Sequence, residues 1–247
     1  MGGIDSNTKL MLHCNGSDGS ATFTDSGNTV HTMTAQGNAQ LDTAQKKFGT
    51  ASGLFDGTGD YVSASDHADW DFGSSDFTID FQARHNTWAD ANYRIVGQYS
   101  FGNSNSGWTA WINGGASQNI SFHYTTDGSS DNALFVSASM TTNTWYHIAI
   151  VRNGANLMFF LNGTQQGSTQ DISTSTIYNS TRDLEAGGDS VVNSLYYDGW
   201  IDELRISSTA RWTTNFTPPT SEYSTATAHV DTVTDTVSLI PSAIHTL

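Results

Sequence analysis

The stretch DGWIDELRISSTARW, Asp198 to Trp212, reads as a β-strand that sets Asp202 and Glu203 side by side among Trp200, Ile201, Leu204 and Ile206. Successive strand residues point to opposite faces of a sheet. Strict alternation therefore puts Asp202 on the face of Leu204 and Ile206, and Glu203 with Ile201 and Arg205. A carboxylate on a core-side face has to be paired, hydrogen-bonded or bound to a metal. What Asp202 holds is the question the strand raises.

Working outward, strand signals recur at short spacing with polar turns between them. DFTIDFQAR alternates Phe77, Ile79 and Phe81 against Thr78, Asp80 and Gln82, which predicts a half-buried strand. TWYHIAIVRNGANLMFFLNG predicts a hairpin, with strands Tyr146–Arg152 and Leu157–Leu161 and a turn opened by Asn153 and Gly154. Asn162 and Gly163 lead into a further strand. GLFDGTGDYVSAS, YRIVGQYS, GWTAWING, NISFHYTTDG and NALFVSAS continue the series, and no segment keeps a helical period. Many short strands joined by Gly, Asn, Asp and Ser turns predict an all-β sandwich or barrel. Pro218 and Pro219 mark a boundary, giving a domain over 1–219 and a tail over 220–247. Val230, Val233, Val237, Leu239 and Ile240 give that tail two readings, a flexible end or an extended arm docked on a neighbouring subunit.

Composition narrows the partners. The chain has 247 residues, nine Lys and Arg against 24 Asp and Glu, and a formal net charge of −15. No basic run occurs, which argues against nucleic acid and anionic membrane surfaces and fits divalent cations, neutral glycans or protein neighbours. Glutamate stands only at Glu185, Glu203 and Glu222. The single cysteine, Cys14, rules out an internal disulfide and reads as a buried thiol. MGGIDSNTKL lacks the basic and apolar regions of an export signal, and no apolar run is long enough to span a bilayer. The expectation is synthesis in a cytoplasm without membrane insertion.

GLFDGTGDYV, DFTIDF, NTWYHIAIVRNGANLMFFLNG and DGWIDELRISSTARWTTNFTPP stand in the order typical of laminin G-like, concanavalin A-like jelly-roll domains, which the chain resembles over roughly residues 8 to 219. The opening KLMLHCNGSDGSATFTDSGN is similar to the version common in bacteriophage and environmental bacterial proteins. The resemblance implies two antiparallel sheets of about six or seven strands packed face to face, with a C-terminal extended tail. It implies binding far more often than catalysis, spanning glycan binding, protein adhesion and virion structure. It also implies calcium as a candidate cofactor, tying the first loop to the last strand through Asp202, with Asp18 and Asp25 as further oxygen donors and Asn15 where related sequences often have Asp. The other reading of Asp202 is a metal-free latch that caps backbone N–H groups of that loop.

Glycosidases of this shape carry two glutamates on one strand, separated by an aspartate, and that signature is absent here. Asp66, His67, Asp69 and Asp71 form the densest acid–histidine cluster, read either as a metal or acid–base site or as a solvated loop. Trp108, Trp145 and Trp200 sit in strands and are assigned to packing. Trp88 and Tyr93, in RHNTWADANYR, and Tyr178 sit where no core pattern requires them and are the candidate sugar platforms. The sequence thus predicts a non-enzymatic module, a homo-oligomeric virion-surface or tail-fibre protein that binds glycans. The alternatives are a capsid-decoration or assembly protein binding virion neighbours, a bacterial cell-surface domain within a larger assembly, and a carbohydrate-active enzyme.

Overall fold

A computed structural model of the chain describes residues 3–87, 92–114, 118–192 and 195–225. Fifteen strands run in the order β1 (Thr8–Leu12), β2 (Thr34–Gln36), β3 (Gln40–Asp42), β4 (Ser52–Asp56), β5 (Tyr61–Ala64), β6 (Phe77–His85), β7 (Asn92–Gly97) and β8 (Trp108–Asn113), then β9 (Asn119–Tyr124), β10 (Asn132–Ser137), β11 (Trp145–Asn153), β12 (Asn156–Leu161), β13 (Thr164–Asp171), β14 (Leu184–Ala186) and β15 (Asp198–Ser207). One 3-10 turn, Ala68–Trp70, is the helical element among the described residues. The strands form two antiparallel sheets, the jelly-roll sandwich expected. The first runs β13-β12-β11-β6-β15-β4-β3, with β1 also on β15, and the second runs β10-β9-β8-β7-β14-β5-β2. No described helix is long and apolar enough to cross a membrane.

Period-2 alternation builds the core between the sheets. Phe77, Ile79, Phe81 and Ala83 of β6 meet Trp108, Ala110, Ile112, Ile120 and Phe122 of the second sheet. The Asn153-Gly154 hairpin is present, with Asn153 opposite Asn156 and Ile148 opposite Leu161. Cys14 is buried, as expected.

β15 departs from alternation. Asp202 lies opposite Gln82 and Arg205 opposite Asp80, so Glu203 and Leu204 together face one β6 residue. Glu203 takes φ of +51°, the left-handed conformation of a bulge. The extra residue resets the faces. Ile201, Leu204 and Ile206 all enter the core, while Asp202 and Arg205 share the outer face with Gln82 and Asp80. Asp202 is therefore not on the face of Leu204 and Ile206, as strict alternation predicted.

That outer face is itself covered. The chain after β15 lays Trp212 over Ala149, Val151, Met158 and Phe160, with Phe216 stacked on it at 4.1 Å. β6 is consequently buried on both sides, where a half-buried strand was expected. Asp80 makes a two-point ion pair with Arg205 at 2.9 and 3.2 Å. The Tyr223 hydroxyl donates to the same carboxylate at 2.6 Å, and the Arg205 guanidinium lies 3.6 Å from the Tyr223 ring centroid. Burial pushes Asp80 up, but the charge of Arg205, with His147 beside the carboxylate, holds it down at about 2. Tyr223 is buried and Thr225 bridges to Ile4. The domain thus continues past the boundary expected at Pro219, at least to Thr225. The arm residues Val230 to Ile240 lie outside the described residues.

Candidate functional site

The bulge in β15 organises the surroundings of Asp202. Its Oδ2 accepts the backbone N–H groups of Lys47 and Phe48 at 2.9 and 3.0 Å. Its Oδ1 is buried without a hydrogen-bond partner. Burial pushes the carboxyl up to about 7, against the pull of the two N–H donors. Glu203, swung out by its left-handed backbone, sits 2.5 Å from Nδ1 of His13 and accepts the Tyr223 N–H at 2.7 Å. Burial pushes His13 down, but Glu203 outweighs it and the imidazole ends raised. Glu222 in turn accepts the Asn15 amide. These carboxylates fasten the N-terminal strand, the 47–48 loop and the C-terminal segment to β15.

Calcium needs six to eight oxygens converging on one point. Asp18, Asp25 and Asp202 are each engaged by protein donors. Asp18 accepts the N–H and hydroxyl of Thr43. Asp25 accepts the N–H groups of Met11 and Gly27 on one oxygen and that of His31 on the other. None of the three is among the described groups of convergent ligands. Of these three, Asp202 has a buried oxygen, Oδ1, without a hydrogen-bond partner, a demand that a proton or a cation could satisfy. The backbone it caps is the 47–48 segment, not the loop of residues 15–27.

The candidate platforms part company. Trp88 lies outside the described residues. Tyr93 is buried in β7, edge-on to Tyr197 at 6.1 Å, with its hydroxyl donating to the Thr87 carbonyl. It is a core residue, because β7 starts at Asn92 and Tyr93 alternates with the bulged Arg94–Val96 segment. Tyr178 is about one-third exposed and packs over Gly128, where a Cβ would meet its ring at 3.0 Å. Trp108 is in the core, whereas Trp200 is half-buried, with its indole N–H on Asp42 and Arg84 over its ring.

A groove of about 320 Å3 opens beside β5, lined by Thr29, Val30, His31, Thr32, Ala64, Ser65, Asp66 and His67. Its floor is built from distant parts of the chain. The 3-10 turn starts with His67, whose Nδ1 accepts the Asp69 N–H at 3.1 Å. The turn buries Trp70, and the His31 ring packs on Trp70 with centroids 4.4 Å apart. Asp66 is held by the Gln98 amide at 2.8 Å. Burial and then the Asp66 charge raise the Asp71 carboxyl. Of the acid–histidine cluster read from sequence, His67 and Asp69 converge with one residue that reading left out, His31. Its only sequence signal was being one histidine among eight.

A family model described as the concanavalin A-like lectin/glucanases superfamily matches residues 56–214. The chain belongs to that superfamily. Comparison with curated proteins gave no match. Among solved structures, the receptor binding domain of botulinum neurotoxin C/D mosaic serotype is similar with a TM-score of 0.65 at 16% identity, over 85% of this chain and 49% of that one. The botulinum neurotoxin serotype G binding domain gives 0.62 at 18% identity, over 83% and 48%. The botulinum neurotoxin DC binding domain, solved in complex with rat synaptotagmin II, gives 0.62 at 18%, over 84% and 49%. The chain spans about half the length of these structures, and at such identity the likeness is one of fold. The superfamily's description spans lectins and glucanases, so the glutamates matter. Glu185 pairs with buried Arg94 at 3.3 Å. Glu203 and Glu222 are engaged as described above. None of the three lines the groove.

Proposed function

We propose that this chain is a non-catalytic binding module that takes a glycan in the groove beside β5. The observation that carries the reading is the groove's lining, in which three hydroxyls, two imidazoles and one carboxylate face about 320 Å3 of open volume. Donors and acceptors of this kind read sugar hydroxyls, and pockets for small ligands begin near 300 Å3. The glutamates that glycoside hydrolysis would need are tied into structural contacts elsewhere. Tyr178, about one-third exposed, is a candidate stacking surface outside the residues that line the groove. The setting we favour is a virion surface or tail fibre, supported by the resemblance of the segment around residues 9–28 to bacteriophage proteins. A glycan array tests the binding. The wild type gives a saturable signal, and a Thr32→Ala, Asp66→Asn double variant with an unchanged circular dichroism spectrum loses about tenfold or more, as expected when one hydroxyl contact is lost and one charged acceptor is made neutral. Absence of any glycan signal, or a signal the double variant keeps, overturns the reading.

A second reading, a homo-oligomeric decoration or assembly protein, is favoured by one feature. On the outer face of the second sheet, Trp111 stacks on His123 at 4.3 Å, and Phe101 and Val191 are 52% and 49% exposed nearby. Exposed apolar groups above a small subsidiary core suit a protein neighbour. A stable trimer or larger assembly in solution, dissociated by Phe101→Ser, supports that alternative.

A further inference from the structure

We propose that His31, His67 and Asp69 form a binding site for a divalent transition-metal ion, with Zn2+ the best match. Nε2 of His31 lies 3.0 Å from Asp69 Oδ2, and Nδ1 of His67 lies 3.3 Å from the same oxygen. One ligand atom from each residue falls within 4.8 Å of the other two. Ligands bonded at about 2.0–2.1 Å around a tetrahedral Zn2+ stand roughly 3.3 Å apart. Two edges of that tetrahedron are therefore nearly in place.

The contact of His67 with Asp69 is one that a cation would relieve. Nδ1 of His67 accepts the Asp69 N–H at 3.1 Å, so it carries a lone pair and no proton. That lone pair also faces the Asp69 carboxylate oxygen at 3.3 Å, a repulsive contact. Protonating Nδ1 relieves the repulsion but destroys the bond from the backbone N–H. A metal ion placed between the three atoms also relieves the repulsion, at the cost of the same cap bond, and puts a coordinate bond in its place.

The ligands are held from behind. Asp25 Oδ2 fixes the His31 N–H at 2.9 Å, and Trp70 backs the His31 ring. Lys9 Nζ lies 3.7 Å from Asp69 Oδ1, which leaves Oδ2 to the imidazoles. Such outer contacts orient metal ligands. Two imidazoles and one carboxylate select Zn2+, Cu2+ or Ni2+ over calcium and magnesium, which prefer oxygen. Coordination through His31 Nε2 requires the tautomer protonated at Nδ1, and two neutral imidazoles plus one carboxylate then leave the site with a net single positive charge. Three protein ligands leave a fourth position open toward the groove that His31 and His67 line.

The experiment is Zn2+ titration calorimetry on the metal-free full chain, prepared without a polyhistidine tag and with no glycan present. The wild type takes up one equivalent with saturation. His67→Ala and Asp69→Asn, each shown folded by circular dichroism, bind at least about tenfold more weakly, in line with loss of one ligand. The Thr32→Ala, Asp66→Asn variant used for glycan binding keeps its Zn2+, so failure of the glycan reading and failure of the metal reading give different results. Co2+ in place of Zn2+ gives the intense visible absorption of a four-coordinate site in the wild type alone. No saturable uptake, or uptake unchanged by His67→Ala and Asp69→Asn, overturns the proposal.

Discussion

Replacing Asp202 by asparagine should remove much of the pH dependence of folding. In the folded chain the Asp202 carboxyl is pushed up to about 7, chiefly by burial, from an ordinary 3.8. Its Oδ1 has no partner, so nothing compensates the charge at that oxygen. The sign follows from linkage. Between 3.8 and 7 the unfolded chain has released the proton and the folded chain still holds it, so stability falls as pH rises through that window and levels off above it. A group displaced this far is linked to about 4 kcal/mol, an upper figure. Asparagine keeps an oxygen for the Lys47 and Phe48 N–H groups and does not titrate. Urea unfolding of both proteins from about pH 4 to pH 8 isolates the group, because every other acid is common to the pair. The wild type loses up to about 4 kcal/mol more than Asp202→Asn across that range. Parallel profiles refute the reasoning. Calcium provides a second arm at about pH 8. A cation that satisfies Oδ1 raises the wild-type melting temperature by mass action and leaves Asp202→Asn unmoved. Equal melting in chelator and in excess calcium ends the calcium reading and leaves the protonated latch.

Arg205→Leu strands the buried Asp80 carboxylate and should cost about 3–5 kcal/mol by urea unfolding, with a large part recovered in the Arg205→Leu, Asp80→Leu double variant. A single variant within about 1 kcal/mol of wild type contradicts the account of that pair. A chain ended after Pro219 loses the Tyr223 anchor on Asp80 and Glu203 and should lose about 3–5 kcal/mol, the range for deleting a large buried aromatic. An unchanged melting temperature shows that Tyr223 does not hold the sandwich.

The strands were legible because each carries its own period. Phe77, Ile79 and Phe81, or the run around Asn153-Gly154, announce themselves locally. The faces of β15 were not legible. One residue added at Glu203 reverses the side on which Asp202 lies, and nothing in IDELRIS marks which residue is the extra one. Tyr93 looked like a loop residue because its strand begins directly after a polar run. Tyr223 looked like part of a tail because it follows two prolines, although Asp80 and Arg205 in facing strands already required a cover. The groove was least legible of all. His31 meets His67 and Asp69 directly and both imidazoles pack on Trp70, contacts between segments with no shared pattern. Local chemistry writes the sheet, and long-range packing writes the site.

The balance of charge takes the argument one step further. Nine cationic residues face 24 acids, and the structure withdraws several of the nine from the surface. Arg94, Arg152 and Arg205 are buried. Arg94 lies on Glu185 and Asp189, and Arg205 on Asp80. Arg152 donates to the carbonyls of Gly73, Gly154, Ile172 and Ser175, with no carboxylate among those bonds. Arg211 is held by Asp5. Fully paired charges project little field, so the solvent sees a surface whose remaining charge is overwhelmingly acidic. Such a surface repels sulfated or other polyanionic ligands over a Debye length of about 8 Å at physiological salt. It draws divalent cations toward its clefts. A neutral glycan at the hydroxyl-lined groove and a transition-metal ion on the two histidines behind it are both ligands that this field permits, and the second is one that it favours.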